Sequence, residues 1–457
     1  MSVKMHAMAI GILSLTSMVA HATLNISIPR GEKTVSFRSP RGQNEICVIP
    51  KHYPGIQYKN RSLKKEQEFC SYSFYDVNGS EAAAGMNPLA ICAKTNSTNP
   101  AVNLFEVRAG QSKRSVEAAN CAGAKKAGKY KNSTSCSYTP AILAYYHVSQ
   151  ILGGIGRVPT AVLRTMDRNT HLEIAQDGLA NTRKGDLINT TWSGLHSILT
   201  QGLSSSRKDL IFTQDGQQSY GAFIENPNNE VFYRALFNAG SDRAAAFRDG
   251  NAVYRLVRDQ RPLSQIVSAT WNQENLQKLY AMRDTTEFIV LDHILNQQDR
   301  FGNIAAQPRI TYFKKNKSGA WKLALESKME DYTKDLQEGS VDTSRAPITV
   351  SSMILKDNDC GVSKTNVVKA AGLLRHVAHM SAETYQKIMQ LHGSIQANKA
   401  FFTTELLFTE RDFQSVSANL TEAVQILKTN CRSGALKLDL NLDEYLSTGR
   451  TTAASCE

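Results

Sequence analysis

The run Glu287-Phe-Ile-Val-Leu-Asp-His-Ile-Leu295, continued by Asn296-Gln-Gln-Asp-Arg-Phe-Gly-Asn303, is the most informative part of the chain. The first segment is largely apolar and predicts a buried helix, and the second is polar and predicts a loop at the end of that helix. Asp299, Arg300 and Asn303 therefore form a polar cluster directly after a buried element.

A second polar cluster follows a predicted buried strand in the same way. The apolar run Ile348-Thr-Val-Ser-Ser-Met-Ile-Leu355 is followed by Asp357-Asn-Asp-Cys-Gly361. Phosphoryl transfer requires a carboxylate that orients the attacking hydroxyl, and oxygen ligands that hold magnesium on the phosphates. It also requires a cation near the phosphates, and Lys129 or Lys131 on the earlier predicted strand Gly128-Lys-Tyr-Lys131 would supply one.

Three stretches resemble motifs of one kinase group. Leu291-Asp-His-Ile-Leu-Asn-Gln-Gln-Asp-Arg300 resembles the catalytic loop of the Fam20 group of secretory-pathway kinases. Ala144-Tyr-Tyr-His-Val-Ser-Gln-Ile-Leu-Gly153, followed by Arg157-Val-Pro159, resembles that group's αC helix and its R-V-P-P strand. Ile354-Leu-Lys-Asp-Asn-Asp-Cys-Gly361 resembles its L-D-N-G metal-binding motif. The resemblance covers roughly residues 120 to 430, with the motifs in the expected order.

The resemblance implies a role for five residues. Asp299 would be the catalytic base, and Asn303 and Asp357 would bind Mg²⁺ or Mn²⁺. Lys131 would contact the α- and β-phosphates of ATP, and Lys129 is the alternative because both lysines lie on the same face of a strand. ATP and a divalent cation are thus the expected cofactors.

Three departures from the group's pattern bear on activity. Asn303 follows Asp299 by four positions where the group places its metal ligand five on, and Phe301 replaces a histidine. The αC glutamate that should orient the lysine falls at Ile142, so we considered Glu117 as a substitute. Loss of both the metal site and the lysine's partner would make the protein a pseudokinase.

The expected fold is α+β: a two-lobed protein-kinase-like fold with a disulfide-stapled N-terminal cap. Short strand-like runs dominate the first part of the chain, and helical patterns dominate from about residue 262. We predict a signal peptide in residues 1–22, the cap in 23–100, a β-rich N-lobe in 101–260 and a helical C-lobe in 261–457.

The first residues predict export. Lys4, an apolar run from Ala7 to Ala20 and the small residues of Ala20-His-Ala22 form a cleavable secretory signal. No later stretch approaches the ~18 apolar residues of a membrane span, so the mature chain should have no transmembrane segment. We therefore expect a secreted or periplasmic protein.

Eight cysteines follow the predicted cleavage site, and in an exported chain an even number indicates disulfides. No Cys-x-x-Cys motif is present, which argues against a zinc ribbon. Spacing alone leaves the pairing open. The cysteines are Cys47, Cys70, Cys92, Cys121, Cys136, Cys360, Cys431 and Cys456.

The formal net charge of +12 favours acidic partners such as phosphate-bearing ligands, anionic lipid surfaces or acidic proteins. The basic residues are spread along the chain without a patch of stacking aromatic residues, so no nucleic-acid partner is expected. The predicted partners are a nucleotide and an acidic or hydroxyl-bearing acceptor.

These observations favour an exported ATP-dependent phosphotransferase that moves a γ-phosphoryl group to a hydroxyl on a protein, glycan or lipid. Because a bacterial periplasm holds little ATP, a host cell or a eukaryotic secretory compartment suits this activity better. The alternative is a pseudokinase or another disulfide-rich exported binding protein, with Asp299-Arg300 as an ion pair and 357–361 as an ordinary turn. A third possibility is a carbohydrate-processing enzyme that uses Asp357 and Asp359 as paired carboxylates.

Overall fold

The computed structural model describes residues 23–75, 87–95, 99–236, 242–452 and 454–456. The predicted signal peptide, residues 1–22, lies outside the described residues. Helices and strands are mixed along the chain, in agreement with the α+β class.

The strands are β1 (Lys33–Arg38), β2 (Asn44–Ile49), β3 (Tyr72–Ser73), β4 (Asn87–Ala93), β5 (Val102–Glu106), β6 (Lys126–Lys131), β7 (Ala161–Asp167), β8 (Gln218–Glu225), β9 (Val231–Phe232), β10 (Ala305–Lys315), β11 (Trp321–Glu326) and β12 (Ile348–Ile354). The helices are α1 (Asn60–Phe69), α2 (Lys113–Ala118), α3 (Thr139–Ile151), α4 (Arg168–Ala180), α5 (Leu187–Gln201), α6 (Lys208–Ile211), α7 (Arg243–Gly250), α8 (Ala252–Val257), α9 (Leu263–Ile266), α10 (Gln273–Leu295), α11 (Met329–Gln337), α12 (Val367–Ala370), α13 (Ala382–Ser394), α14 (Glu410–Arg432) and α15 (Leu442–Thr448). Within the described ranges, no helix is long and apolar enough to cross a bilayer.

Eight strands form one sheet in the order β1-β2-β7-β8-β6-β5-β4-β3. Strands β1 to β4 come from the predicted cap, residues 23–100, yet β2 is hydrogen-bonded to β7 and β4 to β5. Residues 23–100 therefore extend the sheet of the following segment, and a separate N-terminal cap is not confirmed.

The two faces of this sheet pack against different layers. Tyr130 of β6 contacts Phe74 in an apolar cluster that also includes residues of α4 and α5. Lys129 and Lys131 alternate with Tyr130 and face the opposite side, towards Ile142 of α3. On that side a continuous apolar cluster runs through α3, α10 and α14. The division into two lobes thus stays a prediction.

Helix α3 begins and ends nearly where the sequence predicts. Tyr138 occupies the N-cap position in place of the predicted Thr139, which is the first helical residue and donates its backbone N–H to Ser133 Oγ. All residues of the helix are buried. Gly153 and Gly154 follow with positive φ angles, as expected of residues that terminate a helix.

A smaller sheet brings two loops together. Its order is β11-β10-β12, and the predicted hairpin of β10 and β11 is confirmed. Strand β10 begins just after residue 303 and is antiparallel to β12, with Ala305 opposite Ile354. The loop before β10 and the loop after β12 therefore lie at the same edge. The segment 261–457, predicted to be helical, contains this sheet as well as its helices.

All eight cysteines form disulfides, as predicted, in four pairs: Cys47–Cys70, Cys92–Cys121, Cys136–Cys360 and Cys431–Cys456. Only the first pair lies within residues 23–100. Cys136–Cys360 joins the segment between β6 and α3 to the loop after β12, across 224 positions.

Candidate functional site

Two loops form the candidate site: the Asp299 loop, residues 296–303, and the Asp357 loop, residues 357–361. Their backbones are joined by a hydrogen bond from Gln298 N to Cys360 O of 3.0 Å. Gln297 Nε2 also donates to Asp357 O at 3.5 Å. The two polar clusters found in the sequence are thus neighbours in space.

Arg300 fastens these loops together. Its guanidinium is fully buried and donates to both carboxylate oxygens of Asp292 in α10, at 2.7 and 2.9 Å. It also donates to Asn358 Oδ1 at 2.7 Å and to Lys356 O at 3.0 Å. Burial alone would lower the pKa of Arg300, but the charge of Asp292 outweighs burial and raises this pKa. Arg300 therefore stays charged and holds the Asp357 loop against α10.

Asp299 lies at the open side of the site. Half of its side chain is exposed, and its Oδ2 accepts a hydrogen bond from Asn303 Nδ2 at 2.9 Å. Arg243 Nη1 lies 4.0 Å from its Oδ1. Burial raises the pKa of Asp299 despite these partners, and a raised carboxylate pKa suits a proton acceptor. Phe301, where the motif that the loop resembles has a histidine, is buried against aromatic side chains of α7 and α10.

Asp357 and the two lysines meet at the other side of the site. Lys129 Nζ lies 3.2 Å from Asp357 Oδ1, and Lys131 Nζ lies 3.9 Å from the same oxygen. Burial would raise the pKa of Asp357, but both lysines hold it well below its ordinary value. Asp357 has a φ of 52°, a left-handed backbone conformation that is uncommon outside glycine and frequent at functional sites.

Asp359 is the main carboxylate partner of Lys131. The two groups are 2.7 Å apart and both are buried, and Ser137 Oγ also donates to Asp359. Glu117, the predicted substitute, instead binds Lys113 and the backbone N–H of Ile91. The lysine's partner therefore comes from the Asp357 loop and not from α2 or α3.

Further lysines surround the two lysines and two aspartates described above and make the net charge of this cluster positive. Burial, and then the charge of Lys129, lower the pKa of Lys94 to about 7 and that of Lys126 to about 8. Lys356 forms an ion pair with Glu230. A bound anion stabilises the charged form of a lysine whose pKa is lowered by burial and by neighbouring cations, so the cluster is suited to binding phosphates.

The side chains of the candidate site suit a divalent cation whose remaining ligands are the phosphates of a nucleotide and water. Within the described ranges, no group of three His, Cys, Asp or Glu side chains could hold a metal ion unaided. Mg²⁺ commonly uses one or two carboxylates together with substrate phosphates and water. Asp357 provides such a carboxylate, and Asn303 is held next to Asp299 by its hydrogen bonds.

The paired-carboxylate hypothesis is not favoured by this arrangement. Lys131 Nζ lies between the carboxylates of Asp357 and Asp359 and contacts both. A glycosidic bond would have to occupy the same space. The cavity beside these side chains is only about 20 Å³.

No family model matches the chain, and no curated protein matches it. Among solved structures, the chain is similar to the Golgi casein kinase, in one structure with Mn/ADP bound and in a second structure of the same kinase. Each match has a TM-score of 0.41 and 10% sequence identity, and covers 81% of this chain and 76% of that chain. That kinase belongs to the Fam20 group, which the three sequence motifs resemble.

The site contains residues to which the sequence analysis gave no role. Asp292 precedes Arg300 by eight positions in a run that reads as apolar, so its ion pair was hidden by the hydrophobic pattern. Lys94 directly follows β4, and the order of the strands in the sheet brings it near Lys129. The one signal available was the second aspartate of Asp357-Asn-Asp359, which the sequence analysis considered only as one of two paired carboxylates.

Proposed function

We propose that the protein is an exported ATP-dependent phosphotransferase that moves the γ-phosphoryl group to a hydroxyl on a protein, glycan or lipid. One observation carries the proposal. The Asp299 loop and the Asp357 loop are fixed side by side by Arg300, and Asp357 is paired with buried lysines of β6. A proton acceptor, a metal-binding carboxylate and phosphate-binding cations are the parts that phosphoryl transfer needs.

Each residue has a defined part in this proposal. Lys129 and Lys131 would bind the α- and β-phosphates, and Asp357 with Asn303 would hold Mg²⁺ or Mn²⁺, which neutralises charge on the phosphates. Asp299 would accept the proton of the acceptor hydroxyl as the oxygen–phosphorus bond to the γ-phosphoryl group forms and the bond to the leaving ADP breaks. Its raised pKa and open position support this role.

Nucleotide binding requires the lysine–aspartate contacts to rearrange. The phosphates would take the place that the two carboxylates now hold around the lysines, and the freed Asp357 would then face the cation. Because the cavity is about 20 Å³, a nucleotide cannot enter without this change. We therefore expect a measurable conformational response to metal-bound nucleotide.

The first experiment is thermal unfolding of the oxidised mature protein with and without Mn²⁺-ATP, for the wild type, Asp357→Ala and the exposed control Asp186→Ala. A ligand at 100 times its dissociation constant stabilises the folded state by about 2.7 kcal/mol. We expect stabilisation of the wild type and the control, and none of Asp357→Ala. Absence of stabilisation in the wild type would refute the proposal.

A second experiment separates binding from transfer. Asp299→Asn should still bind Mn²⁺-ATP but should transfer phosphate to a hydroxyl acceptor at least 100-fold more slowly, because general base catalysis contributes roughly 10²–10⁴-fold. Equal transfer rates of the variant and the wild type would remove Asp299 from the catalytic role.

A pseudokinase or other exported binding protein is the second candidate. The observation that favours it is the closed Lys131–Asp359 pair together with the apolar Ile142 where the family has its glutamate. Nucleotide binding without transfer to any acceptor would support a pseudokinase. The four disulfides support the export included in both proposals, because disulfides persist in oxidising compartments.

A further inference from the structure

A second cationic cluster lies beside the lysines, where the segment after β8 crosses the small sheet. Arg157 Nη2 donates to Gln307 Oε1 at 3.0 Å, and Arg309 Nη2 donates to the same oxygen. Gln307 is itself fixed by a hydrogen bond from its Nε2 to Asn228 O. One amide oxygen thus holds two guanidinium groups together.

Both arginines retain buried donors. Among the described residues, neither Arg157 Nη1 nor Arg309 Nε has a hydrogen-bond partner, although both atoms are shielded from solvent. Arg309 is only 6% exposed. Leaving a buried donor without a partner costs about 1–3 kcal/mol, and more for a charged group. An acceptor supplied by a ligand would remove this cost.

The backbone at Arg157 is also held in an uncommon conformation. Its φ is 47°, and it follows Gly156, whose φ is 68°. A left-handed conformation at a non-glycine residue is maintained only when its surroundings fix it, and such residues are frequent at ligand-binding sites. Here the conformation directs the Arg157 side chain to Gln307 and the neighbouring arginine.

The charges around this cluster do not cancel. Burial, and then Arg309, lower the pKa of Arg157 to about 10, and burial and then Arg61 lower that of Arg309. Glu225 forms an ion pair with Arg61, at 2.8 Å. Asp284 and Glu326 act on the cluster from further away and only partly offset the repulsion.

A cavity of about 270 Å³ is lined by Arg61 and Arg309, and Arg157 lies outside its wall. It shares Glu225 and Pro227 with the cavity beside Lys129 and Lys131. It is large enough for a tetrahedral anion with its substituent and has more basic than acidic side chains in its wall. The basic residues that line it are Arg61, Lys65, Lys125, Lys126, Arg309 and Lys328.

We propose that Arg61 and Arg309 form a binding site for a phosphate or sulfate group of a ligand, and that Arg157 positions Arg309 through Gln307. The site adjoins the lysine cluster of the candidate active site, with Lys126 in the wall of its cavity, but it does not include Lys129 or Lys131. Guanidinium groups bind tetrahedral oxyanions through paired N–H donors, and the unpartnered Nε of Arg309 matches this chemistry. The inference does not depend on nucleotide binding, because it rests on residues that have no part in the proposed transfer reaction.

The test is a calorimetric titration of the oxidised mature protein with sodium phosphate and, separately, sodium sulfate, against sodium chloride at matched ionic strength. The variants are Arg309→Met, Arg61→Met, Lys129→Met and the exposed control Arg411→Met. Phosphate and sulfate are compared because a phosphorylated and a sulfated ligand present groups of the same shape. The anion that binds more tightly indicates which of the two kinds of ligand the site takes.

We expect the wild type, Lys129→Met and Arg411→Met to bind one of the anions equally, Arg309→Met to bind it at least tenfold more weakly, and Arg61→Met to be weakened too. If Arg309→Met fails to fold, the result for Arg61→Met tests the proposal, because the Arg61 side chain is 74% exposed and its replacement leaves the core intact. No binding by the wild type, equal binding by Arg61→Met, or loss of binding in Lys129→Met would overturn the proposal.

Discussion

Replacement of Arg300 by Met tests whether the candidate site is held together as described. The substitution removes four hydrogen bonds of the guanidinium. Among the described residues it leaves Tyr145 as the one side chain that donates to the buried carboxylate of Asp292. Removing one partner of a buried ion pair costs about 3–5 kcal/mol. With an unfolding entropy of about 2.1 cal/mol/K per residue and 457 residues, Tm should fall by roughly 3–5 °C.

Calorimetry of the wild type and four variants would measure this effect. Arg300→Met is compared with Arg248→Met, whose pair with Asp249 is exposed and should therefore change Tm little. The double variant Arg300→Met/Asp292→Leu should lose less stability than the two single variants together, because no buried charge is left without a partner. A Tm for Arg300→Met equal to that of Arg248→Met would refute the reasoning.

Three further outcomes are expected. Burial lowers the pKa of His171 from 6.5 to about 3, so the buried neutral form stabilises the fold above pH 6.5 and this contribution is lost as the pH falls. Between pH 6.5 and 5.5 the free energy of unfolding, measured with urea, should therefore fall by about 1 kcal/mol less in His171→Gln than in the wild type. Lys131→Met should destabilise the protein more than Lys129→Met in the same assay, because the partner of Lys131 is fully enclosed whereas that of Lys129 is 29% exposed. Replacing Cys136–Cys360 by serines should lower the free energy of unfolding by about 5 kcal/mol, and the same change at Cys431–Cys456 by about 3.5 kcal/mol, because the first bond closes the longer loop. Only the first change should abolish the response to Mn²⁺-ATP.

Local sequence patterns were sufficient to predict the strands and the helix that surround the candidate site. The strand β6, the helix α3, the hairpin of β10 and β11 and the strand β12 all follow from short runs of alternating or continuous apolar residues. Such runs carry no information about which strands pair over long distances. The predicted cap is not confirmed for that reason: the strand ending at Ile49 pairs with residues near Arg164, more than a hundred positions later.

The candidate site was predictable where its residues follow directly after buried elements. Asp299 and Asp357 were identified in this way, and antiparallel pairing of β10 with β12 brings their loops together. The partner of Lys131 was sought on α3 by analogy, yet Asp359 provides it, because the disulfide of Cys136 draws the Asp357 loop towards β6. A crosslink between segments so far apart leaves no trace in either local sequence.

The Cys136–Cys360 bond also sets an order of events during biosynthesis. Cys136 leaves the ribosome long before its partner and only 15 positions after Cys121, so it must remain reduced, or exchange out of a wrong pairing, until the last quarter of the chain appears. Thiol–disulfide exchange is slow unless it is catalysed. We expect maturation to depend on an isomerase and on an oxidising environment, so that a chain retained in a reducing cytosol would be complete in sequence but would lack an assembled site.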